Sequence, residues 1–257
     1  HQMRVGLRRL RCALRLFAPL LPCPDRLRRE LAWLTSELGA ARDWEVLATG
    51  TLAALLGACP DHTGLAELPP AVLAMARQHR QAAAAAVQSA RYAELMHLLQ
   101  DWTGQTRWQA SLDKSGMRAL QAPLDSWATD LLERSHARLL RRGRQLQQVT
   151  AEQRHQVRIS AKKIRYATEF FQALYPARHG KAFVTQLAAL QDALGWLNDA
   201  SVAAGLLSRL ANEQTRLVAP ASFAAGWLAG RSAADLHALR KPWRQFSTMR
   251  PPWALAR

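Results

Sequence analysis

The stretch that most limits what this chain can fold into is its opening, His1-Gln2-Met3-Arg4-Val5-Gly6-Leu7-Arg8-Arg9-Leu10-Arg11. It returns as His155-Gln156-Val157-Arg158-Ile159-Ser160-Ala161-Lys162-Lys163-Ile164-Arg165. Both copies read His-x-x-Arg-x-x-x-basic-basic-x-Arg. At about 100° per residue, His1, Arg4, Arg8, Arg11 and Arg15 share a helical band about 80° wide. Met3, Leu7, Leu10, Leu14, Phe17 and Leu21 occupy a second band rotated by about 120°, the spacing of a core-facing side. In the second copy His155, Arg158, Lys162 and Arg165 repeat the basic band, while Val157, Ala161, Ile164, Thr168 and Phe171 take the inner positions. A helix that merely faces solvent needs no particular cation positions, so their recurrence points to a ligand rather than to solubility. Two copies also predict two similar half-structures whose leading helices face one another. From His1 to Arg15 the basic stripe is about 21 Å long, a shape matched to a linear polyanion.

Charge supports that direction. The 257 residues carry 35 Lys and Arg against 19 Asp and Glu, a formal net charge of +16, which attracts phosphate-rich partners through the whole-molecule field. Most of the cations are Arg, whose planar fork holds phosphate oxygens in pairs. Three cysteines, Cys12, Cys23 and Cys59, lack metal-type spacing and argue against a disulfide framework, hence for a reducing compartment. No apolar run approaches the roughly 20 residues that span a bilayer, and no signal-peptide pattern opens the sequence, so it reads as cytosolic. The sequence begins at His1 without Met, which leaves room for an upstream domain.

Helix is favoured throughout, because Ala and Leu dominate the apolar residues and β-branched ones are sparse. After the first helix, Pro22 to Pro24 marks a turn. Asp25 is expected to cap a helix through Leu27, Leu31, Leu34 and Leu38, stopped at Gly39. Asp43 is expected to cap a third helix ending near Gly57, followed by a loop from Cys59 to Pro70. A long helix from Ala71 to about Trp102 carries a break near Ser89, and the polar segment Thr103–Gly116 divides an N-terminal half, about 1–110, from a C-terminal half, about 117–257. The second half holds helices from about Pro123 to Arg144 and from Ala151 to Tyr175. Leu194-Gly195 is expected to stop another helix, as Leu38-Gly39 does, with Asp199 parallel to Asp43. Helices from Ser201 to Asn212 and from Ser222 to Phe246 complete an all-α chain of two antiparallel bundles.

With both His-x-x-Arg helices and both Leu-Gly-x-x-x-Asp segments in view, the sequence resembles the CHAD family, named for conserved histidines in an α-helical domain. The likeness covers essentially the whole chain, 1–257, through Gly226-Trp227-Leu228 and Lys241-Pro242-Trp243-Arg244. The resemblance implies an all-α fold of two pseudo-symmetric four-helix bundles forming one domain, with inorganic polyphosphate bound in a basic cleft or pore between them and no cofactor. The implied contacts are His1, Arg4, Arg8, Arg9 and Arg11 from the first copy and His155, Arg158, Lys162, Lys163 and Arg165 from the second. Arg15 extends the first stripe. Arg42 matches a basic position in the family's first Leu-Gly-x-x-Arg-Asp segment, where the second copy has Asn198. Such domains occur alone or after a triphosphatase domain, and some are associated with polyphosphate granules.

Polyphosphate has no bases to read, so its affinity comes from charge-assisted hydrogen bonds and counterion release. A protonated His in the stripe would tighten binding at mildly acidic pH. Three other readings compete. A generic polyanion or nucleic-acid module fits the charge, but the basic band lacks interleaved aromatics apart from Tyr166, and no helix-turn-helix pattern is visible. A metal-assisted phosphohydrolase needs clustered carboxylates, whereas Glu169 at the edge of the second stripe is answered by Arg15 in the first. A granule-surface scaffold would use the same binding only as an anchor. The expectation is therefore a non-catalytic polyphosphate-binding protein.

Overall fold

A computed structural model of the chain describes residues 2–104, 108–109, 112–146, 148 and 150–254; His1 lies outside the described residues, as does part of the expected junction after Thr103. Every regular element among the described residues is helical. The first half comprises α1 (Gln2–Leu16), α2 (Asp25–Val46), α3 (Leu52–Ala58), α4 (Leu68–Gln88) and α5 (Ala90–Gly104). The short α6 (Lys114–Gln121) leads into α7 (Leu124–Gly143), α8 (Ala151–Phe170), α9 (Ala177–Glu213), α10 (Val218–Ala238) and α11 (Arg240–Ser247).

Gly39 does not stop α2, and Asp43 does not start a helix. α2 runs through both to Val46, and a π-helical turn at Leu47–Thr51 carries it without a break into α3. Gly195 is likewise interior to α9, which runs for 37 residues, about 55 Å, where two shorter helices were expected. The reason is energetic. A glycine inside a helix costs about 1 kcal/mol, and none of the described glycines adopts the left-handed conformation that ends helices. Continuation keeps Leu34, Trp44 and Leu47 buried along α2 and Leu187, Leu190, Leu194, Leu206 and Leu207 buried along α9. Burying each such side chain is worth about 1.5–3 kcal/mol, so packing outweighs the glycine.

Smaller differences follow similar logic. Asp25 is the first residue of α2 rather than its cap, and it pairs with Arg28 one turn on. The loop after Cys59 is shorter than expected because Pro69 and Pro70 sit in the first turn of α4, where a missing N–H is no loss. α8 ends at Phe170 instead of Tyr175, with a short 3-10 turn at Gln172–Leu174 after it. The last expected helix is two, α10 and α11, and begins earlier at Val218. The break at Ser89 is where the sequence places it: Ser89 is extended, and its Oγ accepts from Tyr92 N–H at 3.2 Å.

The core has three clusters. One belongs to the N-terminal side: Leu7 of α1 with Leu27, Leu31, Leu34 and Leu95. One is built from α7, α8, the start of α9 and α11, including Leu132, Ile164, Phe183 and Phe246. The third draws on both sides of the expected junction, joining Trp44, Leu52 and Val72 to Leu207, Ala224 and Leu228. α2–α3 and α9 are the two long members that meet in it. At the back of α7, Gly143 lies so close to the Trp243 ring that a Cβ there would come within 2.0 Å of it, fixing α11 against α7.

Candidate functional site

α8 is the rigid wall of the site. A capping box opens it, Gln153 N–H donating to Thr150 Oγ1 at 3.2 Å and Thr150 N–H to Gln153 Oε1 at 2.9 Å. Its inner face, Val157, Ala161, Ile164 and Ala167, is fully buried. With that face fixed, the 3.6-residue period leaves Arg158, Lys162 and Lys163 no choice of side.

α1 packs on α8. Arg9 donates to Glu169 Oε2 at 2.6 Å, and the Cys12 thiol lies 3.9 Å from the Lys163 carbonyl. Beyond the end of α1, the Phe17 ring stacks on Trp127 at 5.2 Å and meets Phe171 edge-on at 5.9 Å. These contacts set α1 across the front of α7 and α8 and leave a cleft of about 380 Å³ between the three helices. Arg8, Arg11 and Arg15 enter it from α1, Lys162 and Lys163 from α8, and Arg134 and Arg138 from α7, with no carboxylate among the described residues that line it.

The electrostatics show that the two repeated rows converge. Burial, then the neighbouring Arg158 and Arg8 charges, push Lys162 down to about 8, with Asp199 opposing them. Arg158 is lowered mainly by burial, with Arg8 adding to it and Asp199 and Asp43 opposing. Arg4 is lowered by burial and by Arg8. Asp43 is raised, chiefly by burial and also by Asp199, despite Arg4 and Arg158. Cations of one sign held this close and partly out of water are destabilising until an anion joins them. The buried Nε atoms of Arg8 and Arg158 have no hydrogen-bond partner, so each is a donor awaiting an acceptor.

The other expected site residues are distributed around this centre. His155 is tied by Nδ1 to Asn198 Oδ1 at 2.6 Å, and Asn198 in turn donates to Asp199 Oδ1 at 3.2 Å. Asn198, which replaces the basic residue of the first copy, is thus what orients His155. With Arg154 and Arg158, His155 lines a second cavity, about 270 Å³, between α8 and α9. Arg42 is on the opposite flank, donating to Glu45 at 3.0 Å and sharing a cavity of about 290 Å³ with Arg4 and Arg80. Arg165 lies 3.4 Å from Glu169, the same carboxylate that holds Arg9. Tyr166, the one aromatic beside the band, is buried and flanked by the Arg9 and Arg165 guanidiniums at 5.9 and 5.4 Å, so it presents no open face for a base.

The CHAD domain family profile matches residues 1–208. The chain belongs to the CHAD family. The family's known role is binding polyphosphate. This CHAD chain is similar to the crystal structure of the CHAD domain from the plant Ricinus communis, with 39% identity and a TM-score of 0.83 over 98% of this chain and 82% of that one. PptA from Streptomyces chartreusis shares the fold at 20% identity, with a TM-score of 0.69 over 96% of this chain and 88% of that one. No curated protein matches.

Several residues in or beside this candidate site carry no mark of that placement in the sequence. Arg134, Arg138 and Arg142 are spaced four apart on α7, a detectable helical stripe, but α7 precedes the second motif while the first motif opens the sequence. A search by internal repeat therefore had nothing to compare it with. Asp43 and Asp199 look like helix caps in the sequence, and only with α2 and α9 continuous do they fall among the cations. Among the described residues, no group of three or more His, Cys, Asp or Glu is placed to hold a metal ion, and no helix is long and apolar enough to cross a membrane.

Proposed function

We propose that this CHAD chain binds inorganic polyphosphate, without turning it over, in the cleft between α1, α7 and α8. One observation carries the reading: the two repeated cation rows converge on a cleft whose lining holds seven basic side chains and no carboxylate. That lining supplies donors and positive charge for many phosphate oxygens at once. It offers no carboxylate to hold a divalent metal or to take a proton from water. Residues 1–257 act as one domain in this reading.

The two halves are, we infer, related by a local twofold axis. Three pairs of repeat-equivalent residues support this by approaching one another: Phe17 with Phe171, Arg8 with Lys162, and Asp43 with Asp199. Self-meeting of equivalent positions is the mark of a twofold relation. It gives the phosphate polymer a continuous track from the Arg4 flank past Arg8 and Lys162.

The test is titration with long-chain polyphosphate of the wild type and of a variant with Arg4, Arg8, Arg158 and Lys162 all changed to Ala. The expected loss is at least about ten-thousand-fold in affinity with the helical signal retained, because four charge-assisted bonds at about 1.5–3 kcal/mol each are removed. Displacement of bound polyphosphate by DNA of equal charge would replace the reading with generic polyanion binding. Release of phosphate on adding a divalent metal would replace it with a hydrolase.

A further inference from the structure

Not all cations of the repeated motif are equally available. Glu169 sits between Arg9 at 2.6 Å and Arg165 at 3.4 Å, and Arg9 also lies over the Phe170 ring at 5.3 Å. Arg42 is held by Glu45 at 3.0 Å. These three motif positions are already answered by carboxylates of the same chain. In contrast, α7 brings Arg134 and Arg138 to the cleft one helical turn apart, both exposed, opposite Lys162 and Lys163. The next member of that stripe, Arg142, donates to Ser160 of α8 at 2.8 Å and locks the base of the α7 wall. Lys163 is lowered chiefly by burial, with Arg15, Arg142 and Arg138 contributing, so the α7 guanidiniums act on the α8 row without a carboxylate between them.

We propose that α7 supplies the third wall of the anion track: Arg134 and Arg138 bind the phosphate polymer, and the motif cations Arg9, Arg165 and Arg42 contribute little because internal carboxylates hold them. The proposal rests on the polyphosphate reading and sharpens it, because it ranks two residues outside the expected contact set above three inside it. A phosphate oxygen meeting Arg134 or Arg138 displaces only water. At Arg9 it must first displace Glu169, giving up a formed charge-assisted hydrogen bond to make another, and at Arg165 it competes with the same carboxylate 3.4 Å away. Glu169 thereby closes one end of the track. Its repeat-equivalent, Arg15, keeps the matching end of the first copy positive.

The experiment is polyphosphate affinity measured across a range of salt for the wild type, R134A/R138A, R9A/R165A and E169Q. In R134A/R138A, affinity is expected to fall at least about ten-fold, with the slope of log affinity against log salt reduced by about 1.5, as for two lost phosphate contacts. R9A/R165A is expected to stay within about three-fold of the wild type. E169Q, which frees two guanidiniums without removing any, is expected to bind more tightly. A loss in R134A/R138A no greater than that in R9A/R165A, or weaker binding by E169Q at unchanged melting temperature, overturns the proposal. If the wild type binds polyphosphate and the four-Ala variant does not, while R134A/R138A is silent, only the role of α7 falls. If the wild type does not bind at all, the polyphosphate reading falls with it.

Discussion

α1 and α8 carry the same motif and are not the same kind of helix. α8 buries Val157, Ala161, Ile164 and Ala167 in the second half's core and starts from a complete capping box. α1 buries only Leu7 and Cys12 and lies across the front of its copy. The cations inherit this difference. Lys162 is embedded deeply enough to be pushed down to about 8, while Arg15, at the far end of the α1 stripe, is exposed. A repeat of cation positions thus need not be a repeat of structural roles: one copy forms a fixed wall, and the other lies across it. The outward positions keep the repeated cations, and the inward ones diverge with what each helix packs against.

Four substitutions probe that asymmetry. Truncating an inner residue of the wall should cost most. Ile164→Ala, at a fully buried site, is expected to destabilise by about 3–5 kcal/mol, and Leu7→Ala, at the buried inner position of the covering helix, by about 2 kcal/mol, both read from urea midpoints. Equal losses would mean that α1 is as integral to the core as α8.

Next in size is Lys162. Its folded pKa, about 8, is below its ordinary value of 10.5, so the unfolded chain binds the extra proton between those limits and stability rises with pH across that window. Lys162→Met should therefore stabilise the free protein at pH 7, on the order of 1–3 kcal/mol, and flatten that rise, while weakening polyphosphate binding. Because bound phosphate favours the charged amine, affinity of the wild type should decline as pH climbs through about 8, which isothermal titration at pH 7 and 9 can check. The smallest effect belongs to the start of the wall. Thr150→Ala removes the cap of α8 and should cost about 1 kcal/mol in thermal unfolding, with polyphosphate affinity changed less than by any cleft substitution.

How far the sequence could be read follows from which signals are local. The basic and apolar bands of α1 and α8 were legible because a 3.6-residue period survives whatever the helices pack against. The Ser89 break was legible because capping is settled within four residues. Gly39 and Gly195 misled because a glycine only permits a stop. Whether the helix ends there is decided by burial of Trp44, Leu47, Leu194 and Leu197, which lies in the tertiary structure. The same error hid Asp43 and Asp199, since an aspartate after an apparent stop looks like a cap. Arg134 and Arg138 were visible as residues but not as a site, because nothing in the sequence says that α7 lies beside Lys162 and Lys163. The all-α CHAD architecture was read correctly; which acids hold which of its cations required coordinates.

The length of α9 bears on how the molecule can be divided. Its first half fills the cluster beneath α8, and its second half fills the cluster shared with α2, α3, α4 and α10. The residues matched by the family profile end at 208, inside that helix. A truncation there would sever the beam that spans both clusters and strip away Leu217, Leu228, Phe246 and Trp253, leaving apolar surface open on the two sides of the molecule. The smallest cooperative unit is therefore expected to exceed the stretch by which the family is recognised, with the helices behind the cleft keeping α1, α7 and α8 in register.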